Sequence, residues 1–598
     1  MNKMKKTLSL LLASALCFGA VAGCGGGNKP SEQPSENPSQ APSEGGFNLN
    51  LCIASQPQTI DPALNSSVDG AIMTQHMFEG LVKWADAGTE AAGTDGTANN
   101  AELVPGQAEK WDKVPNADGT VTYTFHLRDG IKWWDGQPVT AQDFVYSWQR
   151  LANPLTAADY CYMIDMVKGY DEVQAGKATG EKKTVVDEAT GKEVEVDVME
   201  YDPTLLDVSA PDEKTFVVTL KNDCPYFLEV CAFPATLPVR QDIIEAHGDQ
   251  WTFKPETYMS NGAYKMIQWE NNAKIVMEKN PEYYDYEKLG PDTITFVLMD
   301  NDNAMLTAYN AGDLDFIEEV PVDELPALIA SGEMKIVDYI GTYYVCYNVE
   351  KAPFDDWRVR KAFTLAIDSQ YIVDNVTQAG QVPATGFVPS GVYDAEGAGS
   401  DFRGNGGDYW EAPTSEEIYK KNLEEANKLL DEAGYTDRST FPTVTYLYNT
   451  SDSHKAVGEA LQSMWSKGLG VNVKLENQEW AAFLETRKVG DYQVARNGWI
   501  ADYNDPCSFL DMWYTDGGNN DAQYSNPEYD AAIDTAKNTT DPAERMAAFH
   551  EAEDLIIGKD WALGPIYFYT QKYMLKDNID GVYYTPLGYF FFGYTSKG

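Results

Sequence analysis

The apolar positions of this chain switch between two-residue and helical spacing, and these patterns predict where strands and helices lie. Residues 119–128 alternate polar and apolar side chains, which predicts a half-exposed strand. Thr140, with Asp143 three positions later, has the spacing of a capping box and predicts a helix that runs through Arg150. Residues 169–200 are rich in Lys, Glu and Gly and show little apolar periodicity, so they predict a surface insertion.

The second half of the chain alternates helical and extended patterns. Thr414 and Glu417 have capping-box spacing and predict a helix start, and Gly434 predicts the end of that helix. Further elements are a strand at 443–448, a helix through Val457, Leu461, Met464 and Trp465, and a strand through Val471, Val473 and Leu475. Because helices and strands alternate, the predicted fold class is α/β.

The first residues have the layout of an export signal. Three lysines precede an apolar run at 8–22, which is too short to span a membrane as a helix. The run closes on Val-Ala-Gly-Cys, which resembles a lipobox, so we expect a signal peptide at 1–23 and lipidation of Cys24. Such an anchor would hold the exported protein on the outer face of the cell membrane. The alternative is an ordinary signal peptide and a freely secreted protein.

A spacer follows the predicted signal. Within residues 24–46, which begin with the lipidated Cys24, proline recurs at every fourth position from Pro30 to Pro42, and each proline is followed by Ser. A Pro/Ser/Gly segment of this kind cannot bury enough apolar surface to fold, so it predicts a disordered tether. The folded part therefore begins near Phe47.

Composition and charge exclude several classes of function. Apolar residues make up 43% of the chain and aromatic residues 12%, which allows large cores and aromatic clefts. The chain has 92 acidic against 45 basic residues and a net charge of −47, which argues against nucleic acid and anionic lipid as partners. Neither the cysteines nor the five histidines have metal-ligand spacing, so we expect no metal and no cofactor. Cys224 and Cys231 are close enough in sequence to pair, with buried free thiols as the alternative.

The segment Arg496 to Pro506 carries candidate binding chemistry. It places Asp502 beside aromatic residues, where a predicted strand at 493–500 breaks into a loop. A carboxylate in that place can meet the cation of a ligand. The alternative is a turn aspartate that caps its own backbone, because Asn, Asp and Pro favour turns for local reasons.

Six collinear motifs after the tether resemble a single known family. They lie at 129–147, 260–264, 311–315, 351–362, 448–455 and 477–506. Together they are similar to the oligopeptide-binding type of solute-binding protein family 5, which serves bacterial ABC importers. The resemblance implies an α/β, periplasmic-binding-protein-like fold in which three domains form two lobes around a hinged ligand cleft.

The resemblance also implies domain boundaries and partners. It places domain I at 47–69, 236–343 and 568–598, domain II at 70–235, and domain III at 344–567. The expected protein is a monomer and not an enzyme. It captures oligopeptides outside the cytoplasm and delivers them to the permease subunits of an ABC importer, meeting the ATPase subunits only indirectly.

Site residues are carried over position by position. Asp502 matches the family position that pairs with the N-terminal ammonium group of a peptide. Matched positions for the peptide C-terminus are Arg487, Arg496 and His454, and those for the cleft lining are Trp480, Trp499, Gly498, Ile500, Tyr160, Tyr567 and Tyr569. Each has a structural alternative: a surface salt bridge for an arginine, packing for the histidine and a core position for an aromatic residue.

One departure and two alternatives remain. Thr377 and Gln378 stand where relatives often carry a lysine, so one anchor for the peptide carboxylate is expected to be missing and the preferred peptide length is open. A protein of this fold can also bind a dipeptide, a nickel complex, an oligosaccharide or a signalling peptide. The alternative from another class is a secreted acid hydrolase, although the sequence contains no Gly-x-Ser-x-Gly, His-Glu-x-x-His or Walker motif.

Overall fold

The computed structural model describes residues 46–53, 56–86, 101–187, 192–585 and 587–598. The predicted signal peptide, Cys24 and the tether up to residue 45 lie outside these ranges. Within them, no helix has both the length and the apolar character needed to cross a bilayer.

The largest sheet of the described residues has eleven strands. In spatial order they are Tyr264–Glu270, Lys274–Lys279, Thr293–Val297, Asn48–Cys52, Phe316–Ile317, Leu563–Leu575, Met334–Tyr347, Val494–Ile500, Val444–Asn449 and Val473–Gln478, with Val382–Pro383 paired to Leu563–Leu575 off this path. Val444–Asn449 is parallel to both of its neighbours, as a β-α-β unit requires. The two longest strands, Met334–Tyr347 and Leu563–Leu575, pair antiparallel at the centre. The mixed sheet confirms the α/β prediction.

A second sheet of four strands lies in the 70–235 part of the chain. Its order is Ala108–Pro115, Val121–Leu127, Thr215–Leu220 and Val208–Asp212. Val121–Leu127 confirms the strand predicted at 119–128, because every second side chain from Val121 to Leu127 is buried. Two-stranded sheets pair Val82–Asp86 with Ala101–Pro105, Lys177–Asp187 with Lys192–Glu200, Tyr393–Asp394 with Gly397–Asp401, Ile579–Asp580 with Ser596–Lys597, and Tyr583–Tyr584 with Phe590–Phe591. The predicted insertion is thus partly an antiparallel ribbon.

Helices cover the sheets. Among the described residues, the α-helices are Val68–Met77, Ala141–Ala152, Tyr170–Ala175, Phe227–Val230, Gln241–His247, Asp302–Ala311, Leu325–Ser331, Trp357–Leu365, Ser369–Ile372, Phe402–Gly406, Glu416–Glu432, Asp452–Gly468, Trp480–Lys488, Cys507–Leu510, Pro527–Asn538 and Pro542–Glu553. The capping box of Thr140 and Asp143 is present at the start of Ala141–Ala152 and confirms that prediction. The cap predicted at Thr414 is wrong by one residue, because the Ser415 side chain accepts the hydrogen bond from the Ile418 amide. The hydroxyl of Thr414 or of Ser415 would suit an N-cap, so the backbone geometry decides which of the two caps the helix.

The predicted helix through Val457, Leu461 and Trp465 spans Asp452–Gly468, and these three side chains are buried in a core cluster against the large sheet. Cys224 and Cys231, left open by the sequence, are free thiols in the structure, and both are buried. Burial raises the pKa of both thiols, so they behave as packing residues rather than nucleophiles.

Candidate functional site

A cavity of about 320 Å³ opens beside the strand Val494–Ile500. This volume lies in the range of pockets that hold small ligands. Every residue predicted to contact the ligand lies in its wall: Tyr160, His454, Trp480, Arg487, Arg496, Gly498, Trp499, Ile500, Asp502, Tyr567 and Tyr569. The fold has therefore collected in one place residues that are hundreds of positions apart.

Asp502 lies on the loop directly after the strand Val494–Ile500 and is 7% exposed. Its backbone amide donates to Ser508 Oγ at 2.7 Å, and its Oδ1 accepts a hydrogen bond from Tyr160 Oη at 3.1 Å. No described residue forms an ion pair with it. Burial raises the pKa of the Asp502 carboxyl well above its ordinary value. A buried acid without a cation of its own, facing a cavity, is arranged to receive a cation from a ligand.

A buried ion pair between Asp505 and Arg545 fixes the loop that carries Asp502. Both carboxylate oxygens of Asp505 accept hydrogen bonds from the Arg545 guanidinium at 2.7 Å, and Oδ1 also accepts from the Cys507 amide at 3.0 Å. Asp505 and Arg545 are buried, so the pair is shielded from water. The rings of Tyr503 and Tyr226 stack with centroids 4.0 Å apart and add packing to the same loop.

Arg496 provides positive charge at the other end of the same strand. Its guanidinium donates to Tyr569 Oη at 3.2 Å and lies 5.2 Å from the ring centroid of Tyr343. Arg496 forms no ion pair within the described ranges, and its Nε is buried without a hydrogen-bond partner there. The guanidinium is therefore open to an anionic group in the cavity.

Arg487, the other predicted arginine, is already engaged. Its Nε lies 3.4 Å from the Asp521 carboxylate, its Nη1 donates to Asn497 Oδ1, and the guanidinium covers the ring of Phe483 at 4.7 Å. Arg487 is placed to shape the cavity wall and to hold the strand, whereas Arg496 is placed to meet a ligand.

His454 was predicted as a cation, but in the ligand-free cavity its surroundings oppose the charge. The ring Nδ1 lies 3.3 Å from Tyr343 Oη. Burial lowers the pKa of His454 well below its usual value, and the nearby charges of Arg496 and Lys572 lower it further. The imidazole is consequently neutral before a ligand binds.

We expect His454 to remain neutral at about pH 6 in the peptide-free protein and to gain a proton when a peptide carboxylate binds beside it, because the anion offsets Arg496 and Lys572. Long-range ¹H–¹⁵N NMR of the imidazole nitrogens measures this, with a His454→Gln variant for assignment. A C-terminally amidated peptide is the control and should leave the ring neutral. An imidazolium signal at that pH without peptide contradicts the prediction.

The strand between Arg496 and Asp502 has one open edge. Gly341 to Tyr347 pair with the whole strand on one side. On the other side, described strand partners reach only Val494 and Ala495. Gly498 lies in the middle of the open stretch, and a Cβ at that position would come within 2.3 Å of Tyr569 Oη. The missing side chain therefore keeps Tyr569 in the wall and leaves the backbone accessible.

The comparisons with known proteins agree with this architecture. A family model described as bacterial extracellular solute-binding proteins, family 5, matches residues 102–521. The chain belongs to this family. It is 36% identical to the periplasmic oligopeptide-binding protein OppA of Salmonella typhimurium over 88% of each chain. It is 32% identical to the oligopeptide-binding protein OppA of Bacillus subtilis over 97% of this chain and 96% of that protein.

A solved structure shows the same fold. The crystal structure of Haemophilus influenzae OppA in complex with RPPGFSPFR superposes with a TM-score of 0.76 at 34% identity, covering 90% of this chain and 96% of that one. The periplasmic-binding-protein-like fold expected from the sequence motifs is thereby confirmed. Family 5 is a family of solute-binding proteins, so its description supplies no reaction.

Several charged residues of this family member's cavity were missed by the sequence argument. Lys572 donates to Glu319 at 2.8 Å, and Lys488 lies 3.1 Å from Asp159. Lys572 lies on the strand Leu563–Leu575, where the predicted Tyr567 and Tyr569 already pointed to the cleft. Alternation along that strand would have placed Lys572 on the opposite face, so the sequence pattern gave no signal for it.

Proposed function

We propose that this family 5 protein captures oligopeptides outside the cytoplasm and delivers them to an ABC permease without chemical change. One observation carries the proposal: Asp502 is a buried carboxyl that faces the cavity and has no ion-pair partner among the described residues. A peptide ammonium group would supply the missing charge. An ion pair shielded from water is far stronger than an exposed one, which favours a ligand with a free amino terminus.

The two ends of the cavity suit a zwitterion. Asp502 lies at one end and Arg496, with neutral His454 next to it, lies at the other. We place the peptide ammonium at Asp502 and the peptide carboxylate at Arg496. A strand rises about 3.3 Å per residue, so Arg496 and Ile500 are roughly 13 Å apart along the strand, which suits an extended peptide of about four residues.

Main-chain pairing explains how one site accepts many sequences. With its amino end at Asp502, the peptide runs antiparallel to the open stretch Arg496–Ile500 and adds a strand there. Backbone hydrogen bonds give affinity without reading side chains. The side chains then project towards Trp480, Trp499, Tyr160, Tyr567 and the rest of the wall, where water completes the contacts.

We also propose that two lobes close on the peptide. The boundaries are those given by the family motifs: domain I at 47–69, 236–343 and 568–598, domain II at 70–235, and domain III at 344–567. The cavity wall supports this division because it takes Glu318 from the first, Tyr160 from the second and Asp502 from the third. Ligand contacts with both lobes would favour the closed form, which is the shape that a permease recognises.

For localisation, we propose export followed by lipid anchoring through Cys24, with residues 24–46 as the tether and a monomeric binding domain above the outer face of the membrane. The apolar run and the Val-Ala-Gly-Cys pattern in the sequence support this assignment.

The function is tested by native mass spectrometry of the folded protein after incubation with a mixture of tri- to pentapeptides. We expect stoichiometric peptide adducts, and we expect the peptides to be recovered intact after release. Shortened peptides would identify a hydrolase. Adducts only with dipeptides, a nickel complex or oligosaccharides, and none with the peptide mixture, would replace the proposed ligand by another solute.

A further inference from the structure

The charges of the cavity wall do not balance. Its ionisable residues, apart from histidine and tyrosine, are Asp69, Asp159, Glu318, Glu319, Asp502, Asp521, Arg487, Lys488, Arg496 and Lys572. Internal pairs join Asp159 to Lys488, Glu319 to Lys572, and Asp521 to Arg487. Within the described chain, this leaves the acids Asp69, Glu318 and Asp502 against the base Arg496. A peptide with uncharged side chains would use Asp502 and Arg496 and leave the carboxyls of Asp69 and Glu318 without a cation.

Glu318 is the better placed of these two carboxyls. It follows the short strand Phe316–Ile317, and its Oε2 accepts a hydrogen bond from Gln571 Nε2 at 3.0 Å. Its Oε1 is buried, and no described residue donates a hydrogen bond to it. A buried acceptor without a donor is costly, so an oxygen of this kind on a cavity wall indicates that the donor comes from a ligand.

Asp69, the other carboxyl, acts through its charge and is not itself proposed to bind the ligand. It lies in the first turn of the helix Val68–Met77, where a carboxylate favours the backbone amides of the helix start. One of its oxygens, Oδ2, is nevertheless buried without a hydrogen-bond partner in the described structure. Asp69 therefore adds negative potential to the same part of the wall.

We infer that Glu318, reinforced by Asp69, makes this protein select peptides that carry a lysine or arginine side chain at the position facing it. The inference rests on the proposed function and adds a specificity residue to it. A basic side chain supplies both the missing donor for Glu318 Oε1 and the positive charge that favours the ionised form of this carboxyl. A neutral side chain supplies neither. Glu318 therefore discriminates in two ways: it attracts a basic side chain, and its buried oxygen stays without a donor when the side chain is neutral.

The electrostatics around Glu318 set the size of the effect. Burial, and then the charge of Glu319, raise the pKa of Glu318 to about 8, while Gln571 and Lys572 lower it and Asp69 raises it slightly. Tyr339 and Tyr584 lie close enough for the charge of Glu318 to raise the pKa of their hydroxyls. Ionising Glu318 at pH 7 costs a factor of about ten in affinity, which a charge-assisted hydrogen bond in a closed cavity exceeds.

The test compares peptides that differ only in one charge. Calorimetry with tri-, tetra- and penta-alanine identifies the best length, and lysine or norleucine is then placed at each position in turn. Norleucine keeps most of the aliphatic stem of lysine without the ammonium group. At one position we expect lysine to bind at least tenfold tighter than norleucine. Equal binding at every position overturns the inference, although the proposed function stands if the alanine peptides bind. If no peptide binds, the proposed function itself fails.

Variants assign the effect to Glu318. Glu318→Gln keeps an acceptor for Gln571 and should bring lysine and norleucine peptides within about twofold. Glu256→Gln makes the same substitution at an exposed position away from the cavity and should keep the full preference. Should Glu318→Gln fail to fold, Asp69→Asn is the second variant, with a smaller expected loss of preference. Retention of the full preference in a folded Glu318→Gln protein contradicts the assignment.

Proton release provides an independent readout. Since Glu318 is mostly protonated at pH 7 in the empty cavity, a lysine peptide must displace that proton, whereas its norleucine twin does not. Titrations in buffers of different ionisation enthalpy should therefore show more protons released with lysine, up to about one per peptide. Asp502 and His454 contribute equally for both peptides and cancel in the difference. Identical proton release for the twins would contradict a direct contact with Glu318.

Discussion

Asp502→Asn is expected to weaken binding of a peptide with a free amino terminus by on the order of 2–5 kcal/mol, roughly 30-fold to several-thousand-fold. The asparagine keeps an acceptor for Tyr160, and the backbone amide of residue 502 still donates to Ser508 Oγ, so these contacts of the loop are kept. What disappears is the negative charge that the Asp502 carboxyl carries when it pairs with the peptide ammonium group. The peptide ammonium would then be buried against a neutral amide, and its lost hydration would not be replaced.

A double-mutant cycle measured by calorimetry tests this effect. The two changes are Asp502→Asn in the protein and N-acetylation of the peptide. N-acetylation of the peptide should cost nearly as much as the substitution, and acetylated peptide with Asp502→Asn should lose little more, because both changes remove the same ion pair. Asp491→Asn, at an exposed side chain whose ion pair is with Lys351 at the surface, is the matched control for net charge. Full additivity of the two losses would mean that Asp502 does not meet the ammonium group.

The same substitution should stabilise the empty protein at neutral pH. Because burial raises the pKa of Asp502 above its unfolded value of about 3.9, the folded state retains a proton that the unfolded state releases. Stability is therefore lost as pH rises above about 4 towards the raised pKa. Asparagine has no such dependence. Thermal unfolding of peptide-free protein at pH 7 should show Asp502→Asn melting no lower than the wild type.

Arg545→Met is the second substitution with a large expected effect. It leaves the buried Asp505 carboxylate without its cation and should lower the free energy of unfolding by about 3–5 kcal/mol. Peptide affinity should also fall, because Asp505 belongs to the loop that aims Asp502 into the cavity. Comparing the loss of unfolding free energy with the loss of peptide affinity separates a general destabilisation from displacement of the Asp502 carboxylate.

Chemical denaturation followed by tryptophan fluorescence measures the stability change, and calorimetry measures the affinity. The double variant Arg545→Met with Asp505→Asn should recover part of the stability, since the unpaired buried charge is then gone. Arg358→Met is the matched control, because Arg358 pairs with Asp356 at a partly exposed site, where losing the ion pair should cost far less stability than at Arg545. Equal losses for Arg545→Met and Arg358→Met would show that the buried pair has no special role.

Local patterns predicted elements well where one physical cause dominated. The alternation at Val121–Leu127 and the capping box at Thr140 both appear as predicted, because burial of one face and satisfaction of helix-start amides are decided within a few residues. The cap at Ser415 and the ribbon at Lys177–Glu200 were missed. Thr414 and Ser415 offered equivalent caps, and the rest of the fold selected one. The ribbon pairs two segments that lack the apolar alternation by which a strand is predicted.

The sequence alone determined the α/β class, the family motifs and the residues that reach the cavity, since apolar periodicity and collinear motifs are properties of the chain itself. Only the tertiary structure decided the charge state and pairing of those residues. Arg487 is engaged by Asp521 while Arg496 is open, His454 is neutral, and Glu318 Oε1 has no hydrogen-bond donor among the described residues. These outcomes depend on burial and on partners distant in sequence, and the energy of a charge is set by those surroundings rather than by its neighbours along the chain.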